Sequence, residues 1–219
     1  LRYALTHAIQ YDKRRIFYII PLLSIIEQNV NAIEKSIADS DIILEHHSNV
    51  VKEEATPEET SRQELLAENW LSPIVITTLV QFLNTLFLGK MSSVRRFHTL
   101  CDSVIIIDEI QTLPIHMISI FNMAVNFLVK YCRATVLLCS ATQPTFEKVR
   151  HPLQFSDDTD VIPYDSALWK PFARTKIVNK CRKEKYSVEE LADFAEEQME
   201  AEENLLVICN TKAAARQLY

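Results

Sequence analysis

Ser103-Val-Ile-Ile-Ile-Asp108-Glu109-Ile110-Gln111 is the stretch on which the reading of this chain turns. Four β-branched residues in succession predict a strand over 103–107, and an unbroken apolar run predicts burial on both faces, as in a parallel sheet. Two adjacent carboxylates emerge at the strand's C-terminal end, where open parallel α/β sheets bind their ligands. Such a pair can divide labour: one acid holds a hydrated Mg²⁺, and the other orients or deprotonates a water that attacks a γ-phosphate. An apolar strand that merely ends in solvated acids is the alternative.

Downstream, Ala134–Cys139 reads as a second buried strand and ends in Ser140-Ala141-Thr142-Gln143-Pro144. Ser140 and Thr142 can point to one place, and a single helix, Ile115–Lys130, separates the two strands. Strands so joined are neighbours in a sheet, so the acids and the hydroxyls are expected to share a cleft. Further strands are expected at Arg15–Ile20, Asp41–Leu44 and Pro73–Thr77, with helices at Leu1–Gln10, Ser24–Ile37, Gln63–Trp70 and Leu79–Phe87. Ser24 with Glu27 has the form of a capping box. The fold class is α/β, a parallel sheet with helices on both faces.

Residues 1–150 are read as the first domain and 151–170 as a linker, because His151–Asp165 is rich in Asp and Pro and lacks periodicity. Residues 171–219 are read as the start of a second α/β domain, with strands near Lys176–Asn179 and at Leu205–Cys209 and an acidic helix at Val188–Ala201. The acidic segment His46–Thr60 is expected to be a surface loop, and His46-His47 a polar surface pair rather than a metal site.

The sequence has 219 residues and a net charge of −6. That balance argues against nucleic-acid binding by charge alone, although Lys13-Arg14-Arg15 and Lys90 with Arg95 and Arg96 form basic clusters. The longest apolar run, Ile16–Leu23, is too short to span a bilayer, so no membrane partner is expected. Five cysteines with no Cys-x-x-Cys pair make neither a disulfide framework nor a zinc site, and point to a reducing, cytoplasmic setting. The single glycine, Gly89, excludes a glycine-rich phosphate loop within this sequence.

Asp-Glu-x-x followed one helix later by Ser-Ala-Thr resembles motifs II and III of superfamily 2 helicases. In more detail, Asp108-Glu109-Ile110-Gln111-Thr112-Leu113-Pro114, Tyr18 to Asn29, Ile76 to Phe82 and Ser140 to Pro144 are similar to the CRISPR-associated helicase–nuclease of type I systems. The resemblance implies two RecA-like lobes, one nearly complete here and one begun, with ATP and Mg²⁺ as cofactors. It implies single-stranded DNA and a CRISPR RNA-guided surveillance complex as partners in antiviral defence.

By this resemblance Asp108 binds Mg²⁺ through water and Glu109 activates the hydrolytic water. Gln111 senses the γ-phosphate or its coupling to the second domain, and Ser140 and Thr142 couple hydrolysis to movement between lobes. Pro21, Ser24, Thr77, Thr78 and Gln81 lie on the single-strand track, donating to phosphates. Asn210 and Thr211, in the stretch Leu206 to Lys212, resemble motif IV of the second lobe. Plain capping remains the alternative for Ser24, for Thr77 and Thr78, and for Asn210 with Thr211.

The family's Walker A loop is expected to precede Leu1, and its arginine-bearing motifs to follow Tyr219. The chain alone is therefore expected to be inactive as an ATPase. No His-Asp dipeptide occurs, so no nuclease is assigned to the chain. Another superfamily 2 helicase acting on DNA or RNA, and a RecA-like interaction module without turnover, are the rival readings.

Overall fold

A computed structural model describes residues 1–21, 23–37, 40–47, 65–142, 144–156, 160–162, 165, 167, 170–181, 183, 186–201 and 204–218; for residues 23–25, 27, 28, 40 and 201 it describes the backbone alone. The chain divides into two compact units, Leu1–Thr159 and Asp160–Tyr219.

Among the described residues the first unit holds five parallel strands: β1 (Arg15–Ile20), β2 (Ile43–His46), β3 (Ile74–Thr78), β4 (Ser103–Ile107) and β5 (Thr135–Leu138). Their order across the sheet is β2-β3-β1-β4-β5. Helices α1 (Arg2–Gln10), α2 (Leu23–Glu34), α3 (Leu79–Phe87), α4 (Met91–Phe97) and α5 (Ile118–Tyr131) accompany them. The architecture is thus a RecA-like α/β fold with a parallel sheet at its centre.

The strand side chains alternate between two apolar layers. Ile16, Ile20, Ile74, Ile76, Val104 and Ile106 pack with Ala4 of α1 and with Ile26, Val30 and Ile33 of α2. Phe17, Ile19, Val75, Ile105 and Ile107 face the other way, onto Leu79 and Phe82 of α3 and Phe121, Val125 and Leu128 of α5. Central strands sandwiched in this way must be apolar at every position, which is why β4 reads as a solid β-branched run. Each isoleucine so buried contributes about 2–3 kcal/mol.

Two expectations about the strands need correction. The second strand is Ile43–His46 rather than Asp41–Leu44, since Ser40–Ile42 forms a 3₁₀ turn. Register decides this: Leu44 pairs with Val75 and His46 with Thr77, so the ladder runs to His46. The fifth strand, expected to be buried, is half-exposed at all four positions. It pairs with β4 on one side and is the sheet's edge among the described residues, so only one flank is covered.

Helix α2 begins at Leu23, so Ser24 lies in its first turn rather than at the cap, and the side chains of Ser24 and Glu27 fall outside the described residues. Residues 65–69 are helical, as expected of the Gln63–Trp70 segment, whose first two residues are not described. Most of the His46–Thr60 segment also lies outside the described residues, but His46 itself ends β2. Its Nδ1 accepts the Trp70 indole N–H at 3.2 Å, and the Arg96 guanidinium lies 5.3 Å from the Trp70 ring centre. His46 is therefore a packed residue and not a surface one. Burial, then the Arg96 charge and His47, push its pKa down to about 4. Helix α4, with its basic cluster, has no counterpart in the sequence reading, because seven residues with scattered apolar positions carry little periodicity.

Residues 146–154 are laid over α5. The fully buried Asn122 donates from Nδ2 to the carbonyls of Phe146 at 2.9 Å and His151 at 3.0 Å. Asn126 receives the Gln154 N–H at 2.9 Å, and Phe146 and Leu153 enter the core. His151–Gln154, in the stretch read as linker, is thus fastened to the first unit.

In the second unit the acidic helix α6 (Val188–Ala201) forms over the expected residues. Ser187 caps it, accepting from Glu190 N at 3.2 Å while Glu190 Oε2 accepts from Ser187 N at 2.8 Å, a capping box. A short helix, α7 (Lys212–Leu218), follows. The expected strands near 176–179 and at 205–209 do not form. A strand is stabilised by its ladder, and no described residues pair with either run. Their apolar side chains, Ile177, Leu206 and Ile208 among them, are exposed instead.

Candidate active site

The sheet order makes a crevice. From β1 the chain moves through α2 toward β2, and from β4 it moves through α5 toward β5, on the opposite face and in the opposite direction. The strand order therefore reverses between β1 and β4, and ligands of open α/β sheets bind beyond the C-terminal strand ends at such a point. Asp108 and Glu109 follow β4 there, Pro21 follows β1, and Ser140 follows β5.

The β ladders carry the chain right up to the acids. Asp108 N donates to Ile19 O at 2.9 Å, and Cys139 N donates to Ile107 O at 2.8 Å. At Glu109 the backbone turns left-handed, with φ 50° and ψ 44°. A side-chain-bearing residue in that region costs about 1–2 kcal/mol, a kind of strain that concentrates at functional turns. A 3₁₀ turn, Ile110–Thr112, follows, anchored by the buried Ile110.

Both carboxylates are half-buried and both are engaged. Asp108 Oδ1 accepts Glu109 N at 3.0 Å, and Asp108 Oδ2 accepts the Tyr18 hydroxyl at 2.9 Å. Burial and the Asp108 carboxylate raise the Tyr18 pKa, so the phenol stays protonated as the donor. Glu109 Oε2 accepts a hydrogen bond from Gln111 Nε2. The other end of that carboxamide, Gln111 Oε1, lies 2.6 Å from Ser140 Oγ. Ser140 Oγ in turn accepts Thr142 N at 3.1 Å and lies 2.6 Å from Thr142 O.

The structure therefore brings Asp108, Glu109, Gln111 and Ser140 together across adjacent strand ends. Thr142 joins through its backbone, whereas the sequence reading set its hydroxyl beside that of Ser140. Gln143 lies outside the described residues.

The expected single-strand track is altered more. Thr77 has no exposed surface, and its hydroxyl donates to His46 O at 2.6 Å, locking β3 to β2. It cannot meet a phosphate, because its only polar side-chain atom is spent inside the sheet. Thr78 caps α3, accepting Gln81 N at 3.2 Å. Gln81 is half-buried, with its side-chain oxygen 3.5 Å from an Arg96 nitrogen. Pro21 lies at the rim of an open groove of about 470 Å³, with Leu79, Asn84, Thr112 and Pro114. In the second unit Thr211 caps α7, accepting Ala214 N at 3.1 Å, and Asn210 is exposed beside it. For Thr78 and Thr211 the capping alternative is thus realised.

The donor set suits a divalent ion held mainly through water and phosphate. No group of three or more His, Cys, Asp or Glu side chains that could hold an ion occurs among the described residues. One aspartate working through water, with phosphate oxygens completing the shell, is how Mg²⁺ is commonly held, and Asp108 fits that role. In the sequence Tyr18 stands out only as the head of the stretch to Asn29 and Arg96 only as a member of a basic cluster, and neither receives a role of its own there.

The DEAD/DEAH box helicase family model matches residues 2–149 of the chain. No curated protein matches it. No helix among the described residues is long and apolar enough to cross a membrane.

Proposed function

The chain belongs to the DEAD/DEAH box helicase family, and from that premise we propose that it is the motor part of an ATP-driven translocase on single-stranded DNA that serves a CRISPR system in antiviral defence. Family membership implies ATP-dependent helicase activity in general. The observation that carries the reading is the run Glu109–Gln111–Ser140, which couples the acid turn after β4 to the hydroxyl turn after β5. The CRISPR assignment is supported by Tyr18–Asn29, Ile76–Phe82, Asp108–Pro114 and Ser140–Pro144, whose form is similar to the helicase–nuclease of type I systems.

Mg²⁺ bound with ATP would neutralise charge on the terminal phosphates. Asp108 would hold that ion through its water shell. Glu109 orients the attacking water and accepts its proton, with Oε2 fixed by Gln111 so that the direction of its other oxygen is set. A change at Glu109 is transmitted by Gln111 to Ser140 and to the Thr142 backbone. Pro21 at the rim of the groove and Gln81 of the following helix lie on the proposed strand path, where Thr78 serves as the cap of α3. Residues 171–219 begin a second RecA-like lobe, in which Asn210 and Thr211 stand at the place of motif IV, and the protein works in the cytoplasm.

The test uses the full-length protein with Mg²⁺, ATP and tailed duplexes of DNA or RNA. ATP-dependent displacement on DNA, increased by a target-bound RNA-guided complex, is expected. Displacement of RNA instead assigns another superfamily 2 activity. Absence of ATP turnover leaves a RecA-like interaction module.

A further inference from the structure

We propose that Tyr18 is a positioning residue whose hydroxyl sets the direction in which the Asp108 carboxylate faces the crevice. Its functional sense rests on the reading of Asp108 as the holder of hydrated Mg²⁺. Tyr18 sits on β1 opposite Ile106 of β4, and Asp108 lies two residues beyond Ile106. Alternation puts Tyr18, Ile106 and Asp108 on one face of the sheet, separated along the strands by a two-residue rise of about 6.6 Å. An isoleucine or valine at position 18 would fill the layer but fall short of the acid, whereas a tyrosine reaches it at 2.9 Å. The bond also crosses from β1 to β4, the two strands that border the crevice.

The two oxygens of Asp108 are held by different donors, Oδ1 by Glu109 N and Oδ2 by the Tyr18 hydroxyl. Together they define the plane of the carboxylate and leave its remaining lone pairs pointing in fixed directions. Without the hydroxyl, one oxygen keeps its anchor and the group is free to turn about it. Pre-setting that plane spares the site the reorganisation a freely rotating acid would need when the hydrated ion arrives.

Tyr18→Phe keeps the ring in its layer and removes only the donor. Crystal structures of the protein and of Y18F should show the Asp108 carboxylate rotated or split between conformers in the variant; an unchanged Asp108 overturns the inference. Mn²⁺ titrated with a non-hydrolysable ATP analogue is the second readout. The apparent Mn²⁺ affinity should fall about tenfold in Y18F, the loss expected for one hydrogen bond to a charged group. Tyr18→Phe should add no further loss in an Asp108→Asn background, which a purely structural role would not produce. Equal Mn²⁺ affinity in the protein and Y18F overturns the positioning role. If the unaltered protein takes up no Mn²⁺ with nucleotide, the metal-holding reading of Asp108 fails, and the Asp108 conformation in the two crystal structures still decides the inference.

Discussion

Ser140 Oγ stands 2.6 Å from Gln111 Oε1, and the same hydroxyl stands 2.6 Å from Thr142 O. A serine has one proton to donate, so these two acceptors compete for it. Donation to Gln111 connects the turn after β5 with Glu109, while donation to Thr142 closes the β5 turn on itself. The hydroxyl is thus a point at which the two strand ends can be coupled or released.

Gln111→Leu and Ser140→Ala are each expected to lower ATP turnover in the full-length protein by about tenfold, the effect of one lost hydrogen bond at a charged cluster. Because they break one run, the double variant should lose little more than either single. A double-mutant cycle on turnover measures this, and additive losses would show that the contact carries no coupling.

Glu109→Gln keeps the size of the side chain and removes its basicity. ATP hydrolysis should fall by at least about 100-fold, the contribution of a positioned general base. Nucleotide binding, followed by fluorescence of a labelled ATP analogue, should remain. Near-normal turnover in this variant would remove Glu109 from the proposed chemistry.

Asn122→Ala addresses the fold rather than the site. Asn122 is fully buried and holds the carbonyls of Phe146 and His151. Its loss leaves both acceptors without that donor and is expected to cost about 2 kcal/mol in urea unfolding. Cleavage by protease between residues 146 and 155 should quicken at the same time.

His46 makes stability depend on pH in a definite direction. Its pKa is lowered from 6.5 to about 4 by burial and by Arg96 and His47. Between those values the unfolded chain binds a proton that the folded chain refuses, so this contribution is present above pH about 6.5 and is lost as pH falls toward about 4. His46→Gln retains an acceptor for the Trp70 N–H without the titration. Urea midpoints of this variant should fall less than those of the parent across the same pH range, and identical slopes would exclude the effect.

The amino-acid sequence determined the core of this protein almost unaided. Val104–Ile107 and Ile74–Ile76 are continuous apolar runs, and Ile16–Ile20 is one apart from Tyr18, because they occupy the middle of a sheet covered on both faces. It also determined that two acids directly follow β4 and that a serine stands two residues beyond β5. Tertiary structure decided what one-dimensional spacing does not encode. Only the order β2-β3-β1-β4-β5 brings Tyr18 to Asp108, puts Thr77 inside the sheet rather than on a nucleic-acid path, and leaves β5 half-exposed at the edge. The runs at 176–179 and 205–209 show the same limit from the other side. Apolar β-branched segments resemble strands wherever they occur, but a strand exists only where a neighbour accepts its hydrogen bonds.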